Sequence, residues 1–220
     1  MKKAIVLLSG GLDSATTLFF AKAGGYDVHC LVFDYGQRHK REVKAALKIA
    51  RIARCPVLVL KIKLPWKGSS LLDKETSLPM KRKIYGAIPS TYVPGRNTIF
   101  LSFALSYAEA LAAGHIFIGA NALDYSGYPD CRPQYFGVFN KLAQLATKRG
   151  VEHKPIRIRT PLIGLKKSEI IKLGLKLGVP FEETWSCYEG GIKPCGRCDS
   201  CVLRSKGFKE AKIIDPALKK

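Results

Sequence analysis

The stretch that decides the fold is "VLLSGGLDSATT", Val6 to Thr17. An apolar run ends in two glycines, and an Asp and a string of hydroxyl residues follow. A buried strand turning sharply into a helix has this pattern. The glycine pair lets the backbone turn tightly and aim several N–H groups at one point, while the helix adds its positive end. Such a turn suits a phosphate or carboxylate. Ser9 and Ser14 would donate hydroxyls, and Asp13 would hold Mg2+ on a polyphosphate. An ordinary capped strand–helix turn, with Asp13 or Ser14 as the cap, has the same local signature, so the loop alone leaves both open. Gly-x4-Gly-Lys-[Ser/Thr] and Gly-x-Gly-x-x-Gly are both absent, which excludes a GTPase-type phosphate loop and a dinucleotide fingerprint.

Outward from this turn the chain alternates strands and helices. The spacing predicts strands at Lys3–Leu8, Asp27–Tyr35, Pro56–Leu64, His115–Ala120 and Ile156–Leu162. Helices are predicted over "DSATTLFFAKAG", "HKREVKAALKIARIA", "NTIFLSFALSYAEALAAG", "PQYFGVFNKLAQLATKR" and "KKSEIIKLGLKLGV". Residues 63–95, rich in Pro, Gly, Ser and Lys and without a period, suit a lid over a site. The alternation predicts an α/β fold: a parallel five-stranded sheet with helices on both faces. Ligands then bind beyond the carboxyl ends of the strands, where Ser9, Asp34, Asn121 and Thr160 would share a crevice. Residues 1–180 would form this domain, and 181–220 a small segment packed on it.

The 220 residues suffice for one domain, and an apolar fraction of 47% supplies a core. No apolar run approaches the ~20 residues of a membrane span, so no membrane partner is expected. "MKKAIVLL" is too short for a secretory signal and runs into Gly-Gly-Leu-Asp-Ser rather than a cleavage site, which points to the cytoplasm. A net charge of +20 fits nucleic acid, anionic substrates or a lysine-rich surface. The basic residues are spread rather than clustered, so direct contact with nucleic acid is not expected. Three Gln and three Asn among many Lys suggest a heat-adapted source.

Seven cysteines without an export signal argue against a disulfide framework. Cys187, Cys195, Cys198 and Cys201 form C-x7-C-x2-C-x2-C in a Gly/Pro-rich setting. Cys-x2-Cys knuckles bring two thiolates to one metal, and four thiolates suit a closed structural Zn2+ site, one per subunit. An iron–sulfur cluster is the rival, but Ser205 stands where ferredoxin spacing requires a fourth Cys.

Ser9-Gly10-Gly11-Leu12-Asp13-Ser14 resembles the Ser-Gly-Gly-x-Asp-Ser signature of the PP-loop ATP pyrophosphatases. With "DYGQRHKRE", "VPGRN", "GANALDYSGYPDCRPQYF" and "TWSCYEGG…PCGRCDSCVLRSKGF", the chain resembles the 7-cyano-7-deazaguanine synthase (QueC) family from Ala4 to about Phe208. Gln134 departs from the acidic residue expected after "DCRP". The resemblance implies a Rossmann-like, adenine nucleotide alpha hydrolase-like fold and a homodimer. It also implies an ATP-dependent ligase that converts 7-carboxy-7-deazaguanine and ammonia into the nitrile, by carboxylate activation, amide formation and dehydration. No glutaminase is visible, so free ammonium is the expected nitrogen source. Both AMP with pyrophosphate and ADP with phosphate stay open as products of ATP.

On the same resemblance, Leu8, Ser9, Gly10, Gly11, Leu12, Asp13 and Ser14 hold the ATP phosphates and Mg2+, and Phe33 and Tyr35 meet adenine, with His39 nearby. Gln37, Arg38, Asn97, Asp124, Tyr128, Asp130 and Arg132 are the substrate candidates. A carboxylate accepts from the guanidine-like edge of the base, and a Tyr ring stacks on it. Asp13, Arg96 and Lys167 are the catalytic candidates, Arg96 on an anionic group and Lys167 on phosphate charge in the transition state. A surface salt bridge at Arg96 and a solvated helix-start lysine at Lys167 are the plainer alternatives. A tRNA-modifying PP-loop enzyme, a thiolase or a lysidine synthetase, is the rival activity. A zinc-bearing nucleic-acid binder without catalysis is a second, which the Gly-Gly-x-Asp loop disfavours.

Overall fold

The computed structural model describes residues 1–73, 75–80, 88–121 and 127–219. Its strands are β1 (Lys2–Leu7), β2 (Tyr26–Asp34), β3 (Val57–Lys61), β4 (His115–Phe117) and β5 (Arg157–Arg159). The helices are α1 (Leu12–Ala23), α2 (Arg41–Ile52), α3 (Arg96–Ala110), α4 (Pro133–Ala146), the single turn α5 (Lys148–Val151), α6 (Lys167–Lys176) and α7 (Asp199–Ala211). The strands form one parallel sheet in the order β3-β2-β1-β4-β5. This is the Rossmann-like arrangement expected.

Alternation along each strand sends side chains into two separate cores. Ala4, Val6, Val28, Cys30 and Val32 face α1, α2, α6 and α7, meeting Leu18, Ile49, Ile170 and Phe208. Ile5, Leu7, Leu31 and Phe33 face α3 and α4, meeting Leu101, Leu105, Phe136 and Phe139. In α2 the apolar stripe is regular: Val43, Ala46, Ile49 and Ala50 are buried between exposed Lys44, Lys48 and Arg51. The N-terminus of α6 is closed by Glu169, whose Oε2 accepts from the Lys166 N–H at 2.7 Å.

Three details differ from the expected elements. α1 starts at Leu12 with Gly11 as its cap residue, so neither Asp13 nor Ser14 is the cap; both lie within the first turn. β4 and β5 are three residues each, shorter than the apolar runs that announced them. α7 falls in the small C-terminal segment, 181–220, for which no helix was predicted. It packs its Phe208 edge-on against Phe181 at 5.7 Å, and Phe181, Phe208 and Ala211 join the α1/α6 core. Among the described residues of 63–95, Leu64, Leu78 and Val93 are buried, and Met80 forms an isolated antiparallel bridge with Cys198.

Candidate active site

The crevice lies at the carboxyl edge of the sheet, where β1 passes into α1. Gly10 has φ +84°, and a Cβ there would stand 2.3 Å from the Glu42 carbonyl oxygen, so only glycine lets the loop lie against α2. Ser14 Oγ accepts from the Ser9 N–H at 3.2 Å and donates to the Gly11 carbonyl at 3.1 Å, which locks the turn. Trp185 clamps it from outside, donating its backbone N–H to the Gly10 carbonyl at 2.9 Å. Gly119, just beyond β4, packs so tightly on this turn that a Cβ would sit 3.0 Å from the Asp13 carbonyl carbon.

Asp13 therefore points its carboxylate into the crevice. Lys167 Nζ donates to both its oxygens, at 2.8 and 2.7 Å, across 154 residues of sequence, and Asn121 Nδ2 donates to Oδ2 at 3.2 Å. The lysine is neither solvated nor idle: it enters the crevice from the start of α6.

A cavity of about 340 Å³ opens over this turn. Leu8, Ser9, Gly11, Leu12, Asp13, Ser14, Phe33, Tyr35, Gln37, Arg38, Arg96, Asn97, Tyr128 and Lys167 all line it. Phe33 stacks flat on Phe100 at 3.9 Å, giving the cavity an aromatic wall. Gln37 braces the end of β2: Oε1 accepts from the Tyr35 N–H at 2.9 Å, and Nε2 donates to the Phe33 carbonyl at 3.3 Å. Those backbone groups are the ones expected to meet adenine. Arg38 donates to the Asp73 and Thr76 carbonyls at 3.2 and 2.7 Å, tying residues 63–95 to the rim.

Arg96 opens α3 and reaches the cavity, not the surface. Its Nη1 donates to Tyr35 Oη at 3.4 Å, and the guanidinium stands 6.0 Å from that ring. Burial pushes the Tyr35 hydroxyl above its ordinary pKa, against the pull of Arg96. Tyr128 is fixed by a 2.8 Å hydrogen bond between its hydroxyl and that of Thr91.

Other candidates stand elsewhere. Asp130 is buried outside the cavity lining; its Oδ2 accepts from the Asn97 N–H at 3.0 Å, neutralising the start of α3. The Asn97 amide donates to the Asp130 carbonyl and to Cys131 Sγ at 3.2 and 3.1 Å. Arg132 is exposed and also outside the lining. Asp34 pairs with Lys40 at 2.9 Å instead of entering the crevice, and Thr160 lies outside the lining. Asp124 lies outside the described residues. Trp185 and Glu42 are among the cavity-lining residues that sequence reasoning missed, although both stand inside quoted motifs. Burial raises the Glu42 carboxyl to about 7, against the opposing pull of Arg96.

Beside the crevice, the Sγ atoms of Cys187, Cys195, Cys198 and Cys201 lie within 4.8 Å of one another, so this group could hold a metal ion. The Cys195 N–H donates to Cys187 Sγ at 3.4 Å and the Cys198 N–H to Cys195 Sγ at 3.3 Å, the bonds that steady thiolates in a knuckle. Four sulfurs without a His fit a tetrahedral thiolate site. The cluster is tied by hydrogen bonds to residues that border the crevice. Trp185 Nε1 donates to the Cys187 carbonyl at 2.8 Å, and His39 Nε2 sits 3.0 Å from the same oxygen.

Comparison with known proteins agrees along the whole chain. The family described as "Queuosine biosynthesis protein QueC" matches residues 3–212. A 7-cyano-7-deazaguanine synthase of Thermosynechococcus vestitus is 55% identical, covering 98% of this chain and 94% of its own. Another from Thermoplasma acidophilum is 52% identical over 98% of this chain and 91% of its own. Among solved structures, NMN synthetase from Francisella tularensis superposes with a TM-score of 0.52 at 16% identity, covering 99% of this chain and 81% of its own, a likeness of fold. No helix among the described residues is long and apolar enough to cross a membrane.

Proposed function

The chain belongs to the queuosine biosynthesis protein QueC family, and on that premise we propose that it is an ATP-dependent ligase making 7-cyano-7-deazaguanine from 7-carboxy-7-deazaguanine and ammonia. One observation supports this most directly: Asp13, Lys167 and Arg96, from three distant parts of the chain, converge on a single cavity over the Ser-Gly-Gly turn. The carboxylate substrate is a poor electrophile until its oxygen becomes a good leaving group. Its attack on the α-phosphorus of ATP forms an acyl adenylate and releases pyrophosphate. Ammonia displaces AMP to give the amide. A second ATP adenylylates the amide oxygen and releases pyrophosphate, and loss of AMP and of both nitrogen protons then leaves the nitrile.

In this reading the turn from Leu8 to Ser14 holds the phosphates, and Asp13 would hold the Mg2+ bound with them. Lys167 then transfers its hydrogen bonds from Asp13 to phosphate oxygens, where its charge offsets that developing in the transition state. Arg96 binds the α-phosphate or the substrate carboxylate. Phe33 and Tyr35 hold adenine once Gln37 yields their backbone groups. Tyr128 stacks on the deazaguanine. Gln37, Arg38, Asn97 and Asp124 shape the rest of its site, with Asp130 and Arg132 acting through the start of α3 and α4. The four cysteines bind one Zn2+ per subunit, which contributes folding energy to the C-terminal segment. The enzyme works in the cytoplasm as a homodimer.

The test combines protein, ATP, Mg2+, ammonium and 7-carboxy-7-deazaguanine and looks for the nitrile by mass, with labelled ATP to identify its products. No nitrile from folded, zinc-loaded protein would overturn the proposal. Asp13→Ala should lose turnover with its fold intact, and Cys198→Ser should lose metal and thermal stability together.

A further inference from the structure

Glu42 is a charged group of the crevice that the steps above leave without a task. It stands in the first turn of α2 and lines the cavity. Its backbone carbonyl abuts Gly10, the pivot of the phosphate-binding turn. Among the described residues its carboxylate makes no hydrogen bond and no ion pair; the charge that acts on it is Arg96, at longer range. A half-buried carboxylate that lines the cavity with no protein donor presents its oxygens to whatever the cavity binds.

The identity of that ligand follows from the charges around it. Arg96 faces Glu42 from α3, Tyr35 faces it from the end of β2, and the turn at Gly10 offers backbone only. Once Arg96 takes an anionic phosphate or carboxylate, its pull on Glu42 is spent on that anion. A small cation with several N–H donors restores the balance, and of the reactants in the functional reading above, ammonium has that chemistry. The inference rests on that reading. Ammonium has no lone pair and cannot attack until a base removes a proton.

We propose that Glu42 is the catalytic residue that binds ammonium in the crevice, taking one proton from it to release ammonia beside the activated carboxyl carbon. The step balances. Ammonium gives a proton to the Glu42 carboxylate, leaving ammonia and a neutral carboxyl. The nitrogen lone pair then forms the C–N bond, the C–O bond to the adenylate breaks, and AMP leaves with that electron pair. The further proton shed by nitrogen goes to solvent, and Glu42 returns its own to solvent before the next round. Burial suits the role, because a carboxyl raised to about 7 is a far better acceptor at neutral pH than one in open water.

Hydroxylamine separates binding of ammonium from every other role, because it is a neutral nucleophile at neutral pH and needs no base to free its lone pair. In Glu42→Gln, pyrophosphate exchange into ATP that depends on 7-carboxy-7-deazaguanine should survive. The kcat/KM for ammonium should fall about 100-fold, while hydroxylamine still yields hydroxamate near the parent rate. Glu42→Asp, which keeps the charge, should recover part of the ammonium use. In the parent chain, ammonium-dependent turnover should show an acid limb near pH 7 and then level off, and hydroxylamine turnover should lack that limb. Loss of exchange in Glu42→Gln, or a rise in its requirement for ATP or Mg2+, would show that Glu42 serves the nucleotide and would overturn the proposal. So would equal losses with ammonium and hydroxylamine, or a parent rate that keeps climbing in step with free ammonia. Absence of substrate-dependent exchange in the parent chain would instead overturn the functional reading, and this inference with it.

Discussion

Arg204 and Arg96 border the same crevice, and their surroundings treat them in opposite ways. Arg204, on α7, is 9% exposed and grips Asp215 with two parallel bonds of 2.6 and 2.9 Å. It also donates to Thr184 Oγ1 at 2.7 Å and to the Phe181 carbonyl at 3.0 Å, so its fork of donors is matched. Among the described residues Arg96 makes one long bond, 3.4 Å to Tyr35 Oη, and its guanidinium lines the cavity. A buried cation with matched donors is spent on holding the fold. One with donors to spare is held ready for something that arrives later.

The sharpest way to break this contrast is at Arg204. Arg204→Ala strands the Asp215 carboxylate in the interior and should cost about 3–5 kcal/mol, lowering Tm by roughly 10 °C. Replacing both partners with apolar residues of similar volume should recover most of that loss. A chain that melts unchanged without Arg204 would erase the distinction between the two arginines.

At Arg96 the expectation reverses. Arg96→Ala should lower turnover by about 10²–10³-fold while leaving Tm within a few degrees. Arg96→Lys should not restore it, because a single ammonium cannot reproduce a fork aimed at an anion. Steady-state kinetics beside a thermal melt reads both numbers on one sample. A large fall in Tm would place Arg96 with Arg204 among the residues that hold the fold.

The contrast also shows what sequence reasoning could and could not see. The turn after β1 was legible because Gly10 and Gly11 sit between an apolar run and a helix, a pattern that little else produces. Lys167 was legible because it starts a helix after a strand, at the edge where such sheets bind ligands. β4 was read three residues too long: Ile118 and Ala120 are buried, but the chain must leave the sheet at Phe117 to bring Gly119 against Asp13. α7 escaped notice because its buried stripe is thin, with Gly207 standing where Lys167 and Ile171 leave no room for a side chain. Asp130 was placed on the substrate because its charge is visible in the sequence and the need of the Asn97 N–H for an acceptor is not. Glu42 was passed over for the converse reason: an acid in the first turn of an amphipathic helix looks like a solvated dipole partner. Both readings turn on where a side chain points, which periodicity does not specify.

Arg96 offsets only part of the cost of burying Glu42, and this gives the last and smallest test. Its carboxyl is raised from 4.5 to about 7 in the fold, chiefly by burial, so the folded chain favours the protonated form more than the unfolded chain does. The resulting stability is fully present below pH 4.5 and drains away as pH rises through about 7. Glu42→Gln removes the titration and keeps the shape. Without ligands it should match the parent at low pH and melt a few degrees higher at pH 8. Asp215→Asn should do the opposite, destabilising the chain at pH 8 because a matched guanidinium loses its partner. Opposite signs for two carboxylate-to-amide changes around one crevice are what separate a group that holds the fold from one kept unsatisfied for a ligand, and equal signs in parallel thermal melts would remove that separation.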